Sequence, residues 1–272
     1  MKKKYFLEFR EVSYRVGSRI ILDKVSFSIY SSQNVVILGA NGAGKSTLIL
    51  ILAGLFKPFS GKVLLNSREV SSSNLVSVSS VVFQDPEPQI VAEDLCFQLA
   101  FSLENLAFPP KLIDRKIDKL LNLFGLLSRK NDSLSSFSFG EKQIVAFLSA
   151  AIINPAFLIL DEALNMVSDD FFARFLAFKK ISQSTFISVT HDISRISSQE
   201  RLLILKEGRL VFDGTFLELM NKDNLSEFLF EAGIGVPDHV KLFFWLKKKR
   251  IFRERREQLE SIPERKEVLR LL

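Results

Sequence analysis

With 272 residues, 47% of them hydrophobic and 25% charged, the chain has the length and composition of a globular protein of one large domain with an appendage, or of two modest domains, not of a disordered or fibrous one. Its net charge of +6 favours anionic partners such as phosphates, nucleic acid or an anionic membrane face, without choosing among them. The single cysteine, Cys96, excludes an intrachain disulfide and a multi-cysteine metal site, and the charges that interrupt residues 2–10 argue against an export signal.

In chain order, residues 7–16, 20–30 and 35–38 read as strands, the last a continuous apolar run suited to burial on both faces. Residues 45–55 read as a helix ending at Gly54, and 61–66 and 78–83 as further strands, with Ser71, Ser72 and Ser73 in an exposed loop. Pro109-Pro110 opens a segment with Leu112, Ile113, Ile117, Leu120, Leu121 and Phe124 at helical spacing, which predicts a helical insertion within about 91–153. The uncharged run 144–160 approaches the length of a membrane span, but Asn154-Pro155 splits it into a buried helix, a turn and a buried strand. A helix over 169–180 and strands over 185–189, 201–205 and 209–212 complete an alternating pattern, so the fold class is α/β with a mainly parallel sheet. Beyond 215 the strand pattern stops, and 221–272 reads as a helical appendage broken near Gly233, Gly235, Pro237 and Pro263. The 26 phenylalanines, against one Trp and three Tyr, read as core filler.

Two motifs carry chemistry. Gly39-Ala40-Asn41-Gly42-Ala43-Gly44-Lys45-Ser46-Thr47 fits a phosphate loop between a strand and a helix. Its glycines let successive backbone N–H groups turn towards phosphate oxygens, Lys45 reaches the β and γ phosphates, and Ser46 offers a hydroxyl to Mg²⁺. The second is an apolar strand, 157–160, ending in Asp161-Glu162, which suits Asp161 to hold Mg²⁺ and Glu162 to polarise an attacking water.

The order phosphate loop, Gln84, helical insertion, Ser138-Phe139-Gly140-Glu141, Asp161-Glu162 and His191 resembles the ATP-binding cassette (ABC) ATPases over residues 5 to about 220. The resemblance implies the phosphate-loop fold of that family, with an antiparallel β subdomain beside the parallel core, a nucleotide-binding domain over 5–220, and ATP and Mg²⁺ as cofactors. It also implies that Tyr14 stacks on adenine, that Gln84 reaches Mg²⁺ and senses a membrane partner, that His191 contacts the γ-phosphate, and that Ser138 and Gly140 serve a nucleotide held by a second cassette. His239 is expected to be structural. The wording Val82-Phe83-Gln84-Asp85-Pro86-Glu87-Pro88-Gln89, then Glu93-Asp94, is similar to the ATPases of energy-coupling factor transporters, importers of vitamins and transition-metal ions. Glu231-Ala232-Gly233-Ile234 and the segment from Pro237 resemble the C-terminal part through which those ATPases dimerise.

This chain departs from the family pattern where Phe139 replaces the first glycine of the signature loop, a position where the backbone is expected to need freedom. Ile144 stands where an arginine is usual, and Ser168 stands in place of a loop aspartate. The departures fall on the partner's composite ATP site, so pairing with a different ATPase subunit is expected over a homodimer. A transmembrane coupling subunit and a membrane-embedded substrate-binding subunit are the further partners implied, at the cytoplasmic face of the cell membrane. The alternatives are a soluble cassette acting on nucleic acid, kept open by Lys247 to Arg250 with Arg253, Arg255 and Arg256, and a regulatory subunit that binds ATP with little turnover. The basic stretch is expected instead to be a solvated helix face or an attraction to an anionic leaflet, so nucleic acid is not the expected partner.

Overall fold

A computed structural model describes residues 6–190, 196, 200–220 and 225–235. Its central element is a six-stranded sheet in the order β10 (Arg209–Thr215), β9 (Arg201–Lys206), β3 (Val35–Gly39), β8 (Thr185–Val189), β7 (Phe157–Asp161), β6 (Ser79–Val82). All neighbours pair in parallel except β10, which folds back antiparallel on β9. The sequences explain the arrangement: β3, Val-Val-Ile-Leu-Gly, is buried at every position, as a strand covered on both faces must be. A second, antiparallel sheet of β2 (Arg19–Tyr30), β1 (Phe6–Val16), β4 (Ser60–Leu65) and β5 (Arg68–Glu69) stands beside it. The two sheets share one core with α1 (Lys45–Leu52), in which Leu7, Phe9, Leu22, Ile37, Leu48 and Leu203 are buried together.

The helical insertion is present. It contains α3 (Leu95–Glu104), α4 (Pro110–Phe124) and α5 (Phe139–Ala151). In α4 the apolar spacing buries Ile113, Ile117, Leu120, Leu121 and Phe124, and Gly125 ends the helix in the left-handed conformation with φ 72°. The phenylalanine excess is partly explained here. Phe124, Phe147, Phe171, Phe175, Phe178 and Phe186 pack mostly edge to face, with neighbouring centroids 5.2–6.3 Å apart, against α6 (Asp169–Ile181). The uncharged run divides as its Asn-Pro pair predicts, into α5, a turn and β7. Among the described residues, no helix is long and apolar enough to cross a membrane.

Two expectations change. The serine cluster is the start of a helix, not a loop: Ser71 caps α2 (Ser72–Val76) in a reciprocal bond with Asn74. The described part of the C-terminal region is also not a separate appendage. After α7 (Phe216–Met220), α8 (Leu225–Glu231) buries Leu225, Leu229, Ala232 and Ile234 against Val36, Leu38, Leu202 and Ile204 of the main sheet. The segment from residue 236, including Pro237, His239, Pro263 and the basic stretch, lies outside the described residues, and so does His191.

Candidate functional site

The C-terminal ends of β3 and β7 open into one cleft of about 520 Å³, lined by Arg19, Ile21, Asn41, Gly42, Gly44, Lys45, Ser46, Thr47, Gln84, Asp161 and Glu162. Both motifs therefore meet, as the switch-point geometry of an open parallel sheet requires. Gly44 precedes α1 at φ 100°, and a Cβ there would fall 2.7 Å from Leu22 Cδ2 and 2.9 Å from the Ile21 carbonyl oxygen. Glycine is thus demanded both by the left-handed backbone and by the β2 strand seated against the loop.

Lys45 is 7% exposed, and its ammonium donates to the carbonyl oxygens of Gly39 and Ala40, each at 2.9 Å. These two bonds hold it under the loop. Burial pushes its pKa down, while the charges of Glu162 and Asp161 oppose the shift. Asp161, which pairs with Val189 of β8, has its carboxyl pushed up by burial and by the neighbouring Glu162 charge. Lys45 and a hydrogen bond from the Ser46 hydroxyl pull it back. Glu162 takes the left-handed backbone region, φ 52°, as its N–H donates to the Val189 carbonyl at 3.1 Å. Asn165 Nδ2 donates to its carboxylate at 3.4 Å.

Gln84 lines the cleft, and its carbonyl accepts from Nε2 of Gln143, a buried α5 side chain, at 3.2 Å. The loop that follows is fastened by glutamines: Gln89 bonds to Phe83 and Val81 at 2.9 and 3.0 Å, and Gln98 of α3 bonds to the Gln89 carbonyl at 2.9 Å. Val91, Phe97 and Phe101 stand exposed around α3, at 61%, 64% and 47%.

Ser138 and Gly140 lie at the start of α5 and are not among the residues lining the cleft. Ser138 caps α5, and its hydroxyl and N–H donate to the Glu141 carboxylate at 2.9 and 2.8 Å. The Ser138 N–H and the Arg129 guanidinium hold that carboxylate below its usual pKa. Gly140 is required by close approach, since a Cβ would meet the Met166 carbonyl oxygen at 2.6 Å. Phe139 needs no backbone freedom, contrary to the sequence expectation: it opens α5 in helical conformation, and what the substitution adds is a phenyl ring 43% exposed. Ser168 caps α6 by accepting from the Phe171 N–H at 3.2 Å, so the local helix start survives the loss of the usual aspartate.

The structure does not bring Tyr14 to the cleft. Its ring stacks on Phe56, centroids 5.2 Å and planes 11° apart, half-buried against the shared core. Sequence reasoning missed Arg19, Ile21 and Gln143. Arg19 and Ile21 belong to a strand with no motif of its own. The one signal for Gln143 was its place two residues beyond Glu141, an uncharged polar residue opening an otherwise apolar run.

Comparison with known proteins agrees with this geometry. A family model described as ABC transporter matches residues 22–165. The energy-coupling factor transporter ATP-binding protein EcfA1 of Staphylococcus epidermidis is 32% identical over 245 residues, 87% of this chain and 90% of its own. EcfA1 of Staphylococcus aureus is 31% identical over 249 residues, 88% and 91%. The solved structure of cbiO1 from Clostridium perfringens, part of the ABC transporter complex cbiONQ, matches with a TM-score of 0.74 at 25% identity, over 91% of this chain and 100% of its own. A bacterial Atm1-family ABC exporter with ATP bound shares the fold at TM-score 0.72 and 23% identity, over 87% of this chain and 43% of its own.

Proposed function

The chain belongs to the ATP-binding cassette transporter family, and on that footing we propose that it is the ATP-hydrolysing subunit of an energy-coupling factor type importer for vitamins or transition-metal ions. It drives a separate transmembrane subunit from the cytoplasmic face of the membrane, in company with a membrane-embedded substrate-binding subunit. The observation that carries this reading is the meeting of Lys45, Ser46, Asp161 and Glu162 in one cleft.

The triphosphate would lie along the glycine-rich loop, where backbone N–H groups at the start of α1 and the Lys45 ammonium can meet its oxygens. Ser46, Asp161 and Gln84 form a hard-oxygen set suited to Mg²⁺, and the Asp161 carboxyl, raised by burial and by Glu162, is the group a cation would relieve. Mg²⁺ held there would neutralise charge on the triphosphate. Glu162 takes a proton from water as the water oxygen bonds to the γ-phosphorus; the bond from that phosphorus to the β–γ bridging oxygen breaks, releasing ADP and phosphate. His191 is assigned to the γ-phosphate by the resemblance alone.

A second cassette supplies Ser138 and Gly140 equivalents over this cleft, while Ser138 and Gly140 of this chain serve the partner's nucleotide. Here the two chains differ in quality. The Glu141 carboxylate occupies the Ser138 hydroxyl and N–H, and the exposed Phe139 ring stands beside them, so the partner's nucleotide meets an impaired signature loop. This supports a heterodimer with one efficient site, built on this chain's own phosphate loop. The apolar patch of Val91, Phe97 and Phe101, linked to the Gln84 loop through Gln98 and Gln89, is the surface suited to a helix of the transmembrane subunit.

Purification of the full chain from detergent-solubilised membranes of its native host tests the reading. An integral membrane subunit and a second, different ATPase are expected in stoichiometric amounts. Recovery with ribosomes or DNA instead, and no membrane subunit, overturns the transport assignment and leaves the ATPase assignment standing.

A further inference from the structure

If an aromatic ring were to hold the base, the structure would have to offer one beside the phosphate loop, and none of the described residues lining the cleft is aromatic. Among the described residues, the rings of β1 and of the turn before β4 are otherwise engaged. Tyr14 and Phe56 stack on one another, and Phe59 carries the Arg15 guanidinium 3.7 Å from its centroid. What the hairpin of β1 and β2 does present is Val16, 62% exposed at the strand end, and Arg19, which pairs with it directly across the turn. Opposed residues of an antiparallel pair share one face of the sheet. Arg19 lines the cleft, and Val16, which is not itself one of the lining residues, stands opposite it on the same face of the hairpin. The hairpin is also held in register with the loop, because the Asp23 N–H donates to the Gly208 carbonyl and the Gly208 N–H donates to the Ala43 carbonyl, at 2.9 and 3.1 Å.

We propose that Val16 and Arg19, not an aromatic side chain, hold the nucleobase, and that this chain binds its nucleotide chiefly through the triphosphate and accepts purine nucleoside triphosphates with little discrimination. The proposal rests on the reading of the cleft as a triphosphate site. A base stacked on an aromatic side chain gains roughly five- to hundredfold in affinity. Two valine methyls offer far less surface. The Arg19 guanidinium can lie on the π-face of any purine, and its donors suit O6 and N7 of guanine at least as well as N7 of adenine. Nothing in the pair selects against GTP.

The test titrates the full-length chain with Mg-ATP, Mg-GTP and inorganic tripolyphosphate, in wild type and in three variants. ATP and GTP should bind within about threefold of each other, and tripolyphosphate within about tenfold of ATP. Val16→Tyr should tighten both nucleotides about tenfold and leave tripolyphosphate unchanged, whereas Arg19→Ala should weaken both nucleotides about fivefold with tripolyphosphate again unchanged. Tyr14→Leu should lower the thermal midpoint without altering the ratio of nucleotide to tripolyphosphate affinity. A preference for ATP over GTP above about thirtyfold, or a loss of the nucleotide's advantage in Tyr14→Leu while Val16→Tyr changes nothing, overturns the proposal. Failure of tripolyphosphate and both nucleotides to bind at all instead removes the triphosphate reading on which it stands.

Discussion

Glu162→Gln leaves Mg-ATP bound and lowers turnover of the assembled ATPase by at least about a hundredfold, the scale of a lost general base. The side chain keeps its shape, and the Asn165 Nδ2 contact at 3.4 Å falls on an oxygen that glutamine retains. What disappears is the proton acceptor beside the attacking water. The same change removes the negative charge that raises the Asp161 carboxyl, so Asp161 is easier to ionise and metal-nucleotide binding does not suffer. Labelled ATP should therefore remain on the variant unhydrolysed while wild type releases ADP within the same interval. On the proposed heterodimer, with its efficient site on this chain's phosphate loop, the substitution silences the pair even with an intact partner. Turnover within a few-fold of wild type would exclude Glu162 as the base.

Lys45→Ala weakens Mg-ATP binding by at least about a hundredfold, because it removes a buried charge whose partners stay behind. Lys45 is held by the loop carbonyls of Gly39 and Ala40, and its charge interacts with the carboxylates of Asp161 and Glu162. Without it, the two carboxylates face the metal-bound triphosphate with one positive charge fewer beside it. Isothermal titration with Mg-ATP reads the loss, and an unchanged thermal midpoint without nucleotide separates it from unfolding. An affinity within about fivefold of wild type would place the triphosphate elsewhere.

The two motifs that line the cleft were legible in the sequence because each is local. A phosphate loop needs a buried strand, glycines and a helix start within a dozen residues, and β3 through α1 supplies them contiguously. Asp161-Glu162 likewise announces itself at the end of an apolar run. Pairings across the chain were less visible. An aromatic in an alternating strand has the same pattern whether its face meets a base or another ring, so nothing at Tyr14 foretold Phe56. The reading of Phe139 failed for a related reason: the family's glycine suggested a strained backbone, whereas the position is an ordinary first helical turn. The C-terminal region carried no hint that the Ala232 carbonyl would accept from the Ala40 N–H at 3.1 Å, fastening α8 to the phosphate loop. That bond joins residues far apart in sequence, and small residues on both sides make it possible by letting the backbones approach.

ATP turnover of the purified full chain, measured alone and again with the proposed second ATPase and membrane subunit, tests the account most directly. The account predicts that the chain alone binds Mg-ATP with turnover near background, and that the complex hydrolyses it at a rate Glu162→Gln in this chain abolishes. Full turnover by the chain alone, matching that of the complex, would contradict it.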